Sequence, residues 1–184
     1  MGLFRDSLDK ATSNTFTRPA PKTSQAQMRF LVKSSKSTRA TADTLGISQR
    51  TVERYLKGQI KRPRPQLAAR LADEVRRRWQ PRVRARARQQ AATTGGITIE
   101  TRARFGFTAA PGSTDDARIR LITQHLPPDY AARLLDAHTA GATDQQLQDI
   151  AAEGLQEIYF KDRGQRAPGL QVAFTDIDYI ELDF

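Results

Sequence analysis

The stretch TRATADTLGISQRTVERYLK, residues 38–57, decides the fold of the first half of the chain. It reads as two short helices around a glycine. Leu45, Ile47, Val52 and Tyr55 take the apolar positions that pack two helices across a tight turn. Gly46 supplies the left-handed residue such a turn requires. Ala42, four residues earlier, is small enough to let the second helix approach. Ser48 is placed to cap that helix. Gln49, Arg50, Thr51 and Arg54 are then left on its exposed face. In a helix-turn-helix this face lies in the major groove and reads base edges with its N-terminal residues. An ordinary helical hairpin would share the pattern, but the basic setting favours DNA.

Helical spacing continues on both sides. SQAQMRFLVKSSK (24–36) sets Met28, Leu31 and Val32 on one face, and QLAARLADEVRRRW (66–79) does so with Leu67, Leu71, Val75 and Trp79. Between them, Pro63 and Pro65 hold their predecessors extended. Lys57, Lys61, Arg62 and Arg64 therefore form an extended basic arm. Arg76, Arg77 and Arg78 add a second cluster. Arg82, Arg84, Arg86 and Arg88 add a third, in a segment that reads as helix or as an unstructured charged run. Such arginines supply phosphate affinity without sequence information, and that affinity is salt-sensitive.

Charge divides the chain. Residues 1–90 hold 22 Lys and Arg against 6 Asp and Glu, while residues 91–184 hold 8 against 14. The whole carries a formal charge of +10. A basic half and an acidic half imply a nucleic-acid grip and a separate task. TTGG (93–96) marks the break, so the expected domains are 1–92, helical and DNA-binding, and 93–184, acidic and α+β. The expected fold is mostly α, with a small α+β C-terminal half.

Other classes are excluded or disfavoured. Without cysteine there is no disulfide framework and no thiolate metal site, which suits a reducing, cytoplasmic setting. MGLFRDSLDK is too charged for a secretory signal and reads as a short amphipathic helix. No apolar run approaches the roughly 20 residues of a membrane span, so no membrane is expected. There is no P-loop and no dinucleotide fingerprint. His125 and His138 lie in no recognisable metal or triad pattern.

In the second half, ITIETRARFGFT (97–108) alternates strictly, with Ile97, Ile99, Thr101, Ala103, Phe105 and Phe107 on one face. It reads as a half-buried strand, or as a hairpin bent at Gly106. Helices are expected over 115–126, 128–140 and 144–161. The last starts with a capping box, Thr143 to Gln146, and Gly141 closes the one before it. QVAFTDIDYIELDF (171–184) reads as an acidic strand able to pair with 97–108, setting Arg102 and Arg104 near its carboxylates.

AAPGSTDDARIR (109–120) carries two adjacent hydroxyls, Ser113 and Thr114, ahead of Asp115 and Asp116. Local rules read it as a helix start, with a hydroxyl cap and favourable first-turn charge.

The chain resembles the terminal proteins that cap linear chromosomes and plasmids of Streptomyces. The resemblance covers nearly its whole length. It is carried by MGLFRDSLDKAT, FTRPAPKTSQAQMRFLVK, TLGISQRTVERYLKGQIKRPRP, RRRWQPRVRARARQQAATTGGI and GATDQQLQDIAAEGL. It implies protein-primed DNA synthesis, in which a side-chain hydroxyl replaces a sugar 3′-OH and takes the first deoxynucleotide, dCMP from dCTP. The protein then stays on the DNA 5′ end. Thr114 corresponds to the family's nucleotide-accepting threonine, and Ser113 is the neighbouring candidate. A terminal protein of this kind is a primer and not a catalyst. It has no cofactor of its own, because the polymerase supplies Mg2+ and dCTP. The implied partners are telomeric DNA, a telomere-associated protein and a DNA polymerase, at the chromosome ends in the nucleoid. The alternatives are a helix-turn-helix regulator or nucleoid protein and, less well supported, a DNA-cleaving enzyme with a hydroxyl nucleophile.

Overall fold

The alternation expected over 97–108 is realised in the folded chain, as is the helical spacing elsewhere except over 115–126. The computed structural model describes the backbone of residues 2–109, 112–165 and 169–184, and their side chains outside 108–117. In order run α1 (Leu3–Asn14), α2 (Ser24–Ser35), α3 (Thr38–Leu45), α4 (Gln49–Leu56), α5 (Pro65–Arg78), α6 (Pro81–Gln90), β1 (Ile97–Ala109), β2 (Gly112–Leu126), α7 (Pro128–Ala140), α8 (Asp144–Leu155) and β3 (Gln171–Asp183). The molecule is mostly helical, with one three-stranded antiparallel sheet in its C-terminal half.

Two compact units form, Thr17–Pro81 and Met1–Phe16 with Arg82–Phe184. The first consists of α2 to α5. Its core is Met28, Leu31, Ala42, Leu45, Val52, Tyr55, Leu71 and Val75. Each α5 contributor lies four residues from the next, so Leu71 and Val75 share one face. Thr23 caps α2 through the Ala26 N–H, and Pro65 opens α5 at the position where a missing N–H costs nothing. Trp79 follows α5 and packs edge-on against Phe30, with ring centroids 5.0 Å apart.

In the second unit the strands lie in the order β2-β1-β3. Ile97, Ile99, Thr101, Ala103 and Phe105 point into the core while Glu100 and Arg102 face solvent. β3 pairs with β1 as its sequence suggested, from Thr98↔Asp183 to Thr108↔Gln171. Val172, Phe174, Ile180 and Leu182 are buried on one face, and two irregularities in that register turn Asp176 and Asp178, which lie between them at the same spacing, out to solvent. Arg102 meets Asp178 at 3.3 Å and Arg104 meets Asp176 at 2.7 Å. The core is completed by Phe4, Leu8 and Ala11 of α1, Leu134 and Leu135 of α7, and Leu147, Ala151 and Leu155 of α8. Thr143 and Gln146 form the expected capping box, and Gly141 ends α7 in the left-handed region.

Three expectations are corrected. Residues 115–126 are not a helix but part of β2, a 15-residue strand. Ile119, Ile122 and Leu126 mimic a helical period, yet Gly112 pairs back onto Ala109 and β2 runs antiparallel to β1. Ile122 and Leu126 then point inward and Leu121 outward. Accordingly, Ser113 does not cap a helix, and Asp115 and Asp116 do not occupy a first turn. β1 also runs straight through Gly106, with no hairpin bend there. Finally, the compact units do not divide at 92/93. α1 is drawn into the sheet unit because Phe4, Leu8 and Ala11 are fully buried there. α6 joins it too, and a π-helical turn over Ala91–Gly95 leads into β1.

Candidate nucleic-acid interface

Thr17–Pro81 holds 16 Lys and Arg against 4 Asp and Glu. The pair α3–α4 forms on local chemistry. Ser37 accepts from the Ala40 N–H at 3.1 Å and starts α3. Thr41 is buried and hydrogen-bonded to Ser35 at 2.8 Å, so its hydroxyl costs little there. Gly46 ends α3 at φ 63° and ψ 40°, and the Ile47 N–H reaches back to the Ala42 carbonyl at 3.0 Å. This is the closure that a left-handed glycine permits. Ser48 accepts from the Thr51 N–H at 3.2 Å and caps α4, as its position promised.

α4 presents Gln49, Arg50 and Arg54 to solvent, with Thr51 half-buried. Gln49 is not idle. Its amide donates to Thr38 at 3.1 Å and to Glu53 at 3.2 Å, tying α4 to α3. Arg50, Arg54 and Lys57 border one groove with Glu53 and Gln59. Beyond α4 the chain turns at Lys57 and Gly58 and then runs without helix or strand to α5, carrying Lys61, Arg62 and Arg64 exposed.

The arginine clusters differ. Arg78 pairs with Glu74 at 3.0 Å, and Arg77 and Arg76 reach Glu74 and Asp73 at 3.5 Å, so α5 partly neutralises its own cluster. Arg82, Arg84, Arg86 and Arg88 lie on α6, in the other unit. Arg82 and Arg86 are exposed. Arg88 instead donates to the Leu135 carbonyl at 2.6 Å. Burial, and then Arg84, push its guanidinium below the usual range. The alternating pattern of this segment could not distinguish a half-buried arginine from an exposed one.

Ser113 and Thr114 lie in β2, an edge strand, beside its hairpin end. Ser113 pairs with Thr108 and Thr114 with Phe107. The side chains of Ser113, Thr114, Asp115 and Asp116 lie outside the described residues. Nearby, the Arg120 guanidinium stacks 5.9 Å from the Phe107 ring and 5.8 Å from Phe160. Sequence reading misses this stacking because it places Arg120 on a helix.

His125 sits near Thr98 at 3.3 Å and is exposed. His138 lies 3.5 Å from Asp9. Burial lowers its pKa against the opposing pull of Asp9, with Arg88, Arg5 and Arg84 lowering it further. Among the described residues no group of three His, Asp or Glu is arranged to hold a metal ion, and no helix is long and apolar enough to cross a membrane. No protein-family model, curated protein or solved structure matches the chain.

Proposed function

We propose that this protein is a terminal protein that primes end replication of linear bacterial DNA and remains bound to the 5′ end. The observation that carries the reading is a division of labour. A unit with a net charge of +12 contains the turn-linked helices α3 and α4. The other unit, net −2, carries two adjacent hydroxyl residues at the hairpin end of an edge strand. A priming hydroxyl has to enter a polymerase active site, and a strand at the sheet edge leaves one side of its backbone unpaired by its own sheet.

The reaction is a phosphoryl transfer. The Thr114 hydroxyl attacks the α-phosphorus of dCTP, the bond to the β-phosphate breaks and pyrophosphate leaves. The hydroxyl proton passes to solvent or to a base of the polymerase. The product is a phosphodiester between Thr114 and dCMP, whose 3′-OH is then extended. A threonine hydroxyl is a weak nucleophile near neutral pH. The Mg2+ ions of the polymerase supply its activation. Ser113 is the second candidate for the same role. Helices α3 and α4 act as a helix-turn-helix on duplex DNA, with Arg50 and Arg54 on the groove-facing side. A telomere-associated protein is the expected partner at the overhang.

The test uses α-labelled dCTP, a polymerase extract, the telomere-associated protein and a telomeric template. Label should join the protein, Thr114→Ala should abolish it, and duplex binding should persist. If Ser113→Ala abolishes label and Thr114→Ala does not, the acceptor is the neighbour. If both variants label normally, the priming site is wrong.

A second reading, a DNA-binding regulator, is favoured by one observation. Thr17–Pro81 has its own core and its own α3–α4 pair. Absence of labelling together with tight binding to one duplex sequence would select it.

A further inference from the structure

Beside α4 lies a second groove, of about 490 Å³. Four arginines line it from three successive parts of the chain: Arg54 from α4, Arg62 and Arg64 from the segment between α4 and α5, and Arg70 from α5. No Asp or Glu is among its lining residues. Among the described residues none of these four guanidiniums has an ion-pair partner, in contrast to Arg76, Arg77 and Arg78. Four like charges around one concavity repel one another, and an anion relieves that repulsion.

Gly46 contributes twice. It makes the turn, and its lack of a side chain leaves room for Arg70. A Cβ at Gly46 would come within 2.8 Å of the Arg70 Nη1 atom. The groove thus reaches the turn between α3 and α4. Its lining also includes the apolar side chains of Ile47, Ile60 and Leu67. Guanidiniums among apolar side chains suit a phosphodiester, pairing with the phosphate while the sugar packs on the apolar groups.

We infer that this groove holds the sugar-phosphate backbone of duplex DNA next to the segment met by α4. The inference rests on the DNA-binding reading above and adds the residues that carry its phosphate contacts. Single-stranded DNA fits less well, because such sites stack bases on exposed aromatic rings. The one aromatic residue lining the groove, Tyr55, is only 2% exposed.

The experiment is a salt titration of full-length protein binding a fluorescein-labelled 20-base-pair duplex, and separately one of its strands, read by anisotropy. The groove variant is Arg62→Gln/Arg64→Gln/Arg70→Gln. The charge-matched control is Lys22→Gln/Arg29→Gln/Lys33→Gln, outside the groove. The groove variant should bind the duplex about tenfold or more weakly. Its slope of log K against log salt should become shallower by roughly 2–3, at about 0.9 for each phosphate no longer neutralised. The control should weaken by less than about threefold. Should the triple variant fail to fold by circular dichroism, Arg62→Gln/Arg64→Gln, confined to the exposed arm, should flatten the slope by roughly 1.8. Equal weakening in variant and control overturns the inference, since bulk charge then suffices. Weakening on the single strand alone overturns it as well. If the wild type binds duplex and Arg50→Ala weakens it while the groove variant does not, the inference falls and the DNA-binding reading stands. If the wild type binds no duplex, both fall.

Discussion

At the scale of single residues, two glycines, one serine and one histidine carry the sharpest consequences. Gly96 adopts φ 70°, and a Cβ there would lie 2.3 Å from the Leu126 carbonyl oxygen. With ψ at −162° this backbone lies in a region essentially reserved for glycine, costing an L-residue roughly 1–3 kcal/mol, and the obstacle is backbone, which cannot swing aside. Gly96→Ala should therefore lower stability by about 2 kcal/mol or more, read as a fall in urea midpoint by far-UV circular dichroism. At Gly46 the obstacle is the end of a flexible arginine, so only the conformational penalty should remain. Gly46→Ala should cost about 1 kcal/mol, and Ser48→Ala about 1 kcal/mol through loss of the α4 cap. Trp79, the single tryptophan, lies in the same unit and reports both effects by fluorescence. A Ser48→Ala protein as stable as the wild type would show that the cap is redundant. His138 works through protons. Its folded pKa is depressed, mainly by burial, from the ordinary 6.5. The folded state then binds fewer protons than the unfolded state below that pH. The contribution is complete above pH 6.5 and is lost as pH falls through the depressed value. Stability measured from pH 7.5 to 5 should decline, and His138→Gln should flatten the decline. A steeper decline in the variant would reverse the sign.

At the scale of elements, strand pairing explains what the sequence revealed and what it hid. β1 was legible because Ile97, Ile99, Thr101, Ala103 and Phe105 alternate without a break. β3 was legible as its partner because Asp176 and Asp178 complement Arg104 and Arg102. These two pairs are about half exposed, so each contributes only about 0–1 kcal/mol after solvent screening. A double-mutant cycle on Arg104 and Asp176 should give a coupling of about 0.5 kcal/mol that fades as salt is raised. Coupling unchanged in high salt would mean a pair better shielded than its exposure allows. β2 was hidden, because Ile119, Ile122 and Leu126 are spaced as on a helix and Asp115 and Asp116 resemble a first turn. What overrides them is long-range pairing with β1, from Ile97↔Leu126 to Ala109↔Gly112, which no local window contains. The α3–α4 pair was almost fully legible, since Gly46 and Ser48 act through their immediate neighbours.

At the scale of the whole molecule, charge gave the organisation and packing redrew its borders. The charge change near residue 90 is real, but compact units follow buried side chains. Phe4, Leu8 and Ala11 place α1 in the sheet unit despite its distance in sequence. For the same reason the arginines proposed for DNA fall in both units, and Arg88 is spent on a backbone carbonyl. The candidate site was legible only as residue types. Nothing local to Ser113 and Thr114 separates an acceptor hydroxyl from an ordinary one, and their strand has the local signature of a helix. The most direct test of the central claim is transfer of label from α-labelled dCTP to the protein on a telomeric template with polymerase and the telomere-associated partner. The account predicts alkali-labile label on the wild type and on Thr114→Ser, and none on Thr114→Ala, with duplex binding unchanged. Full labelling of a Ser113→Ala/Thr114→Ala protein would contradict it.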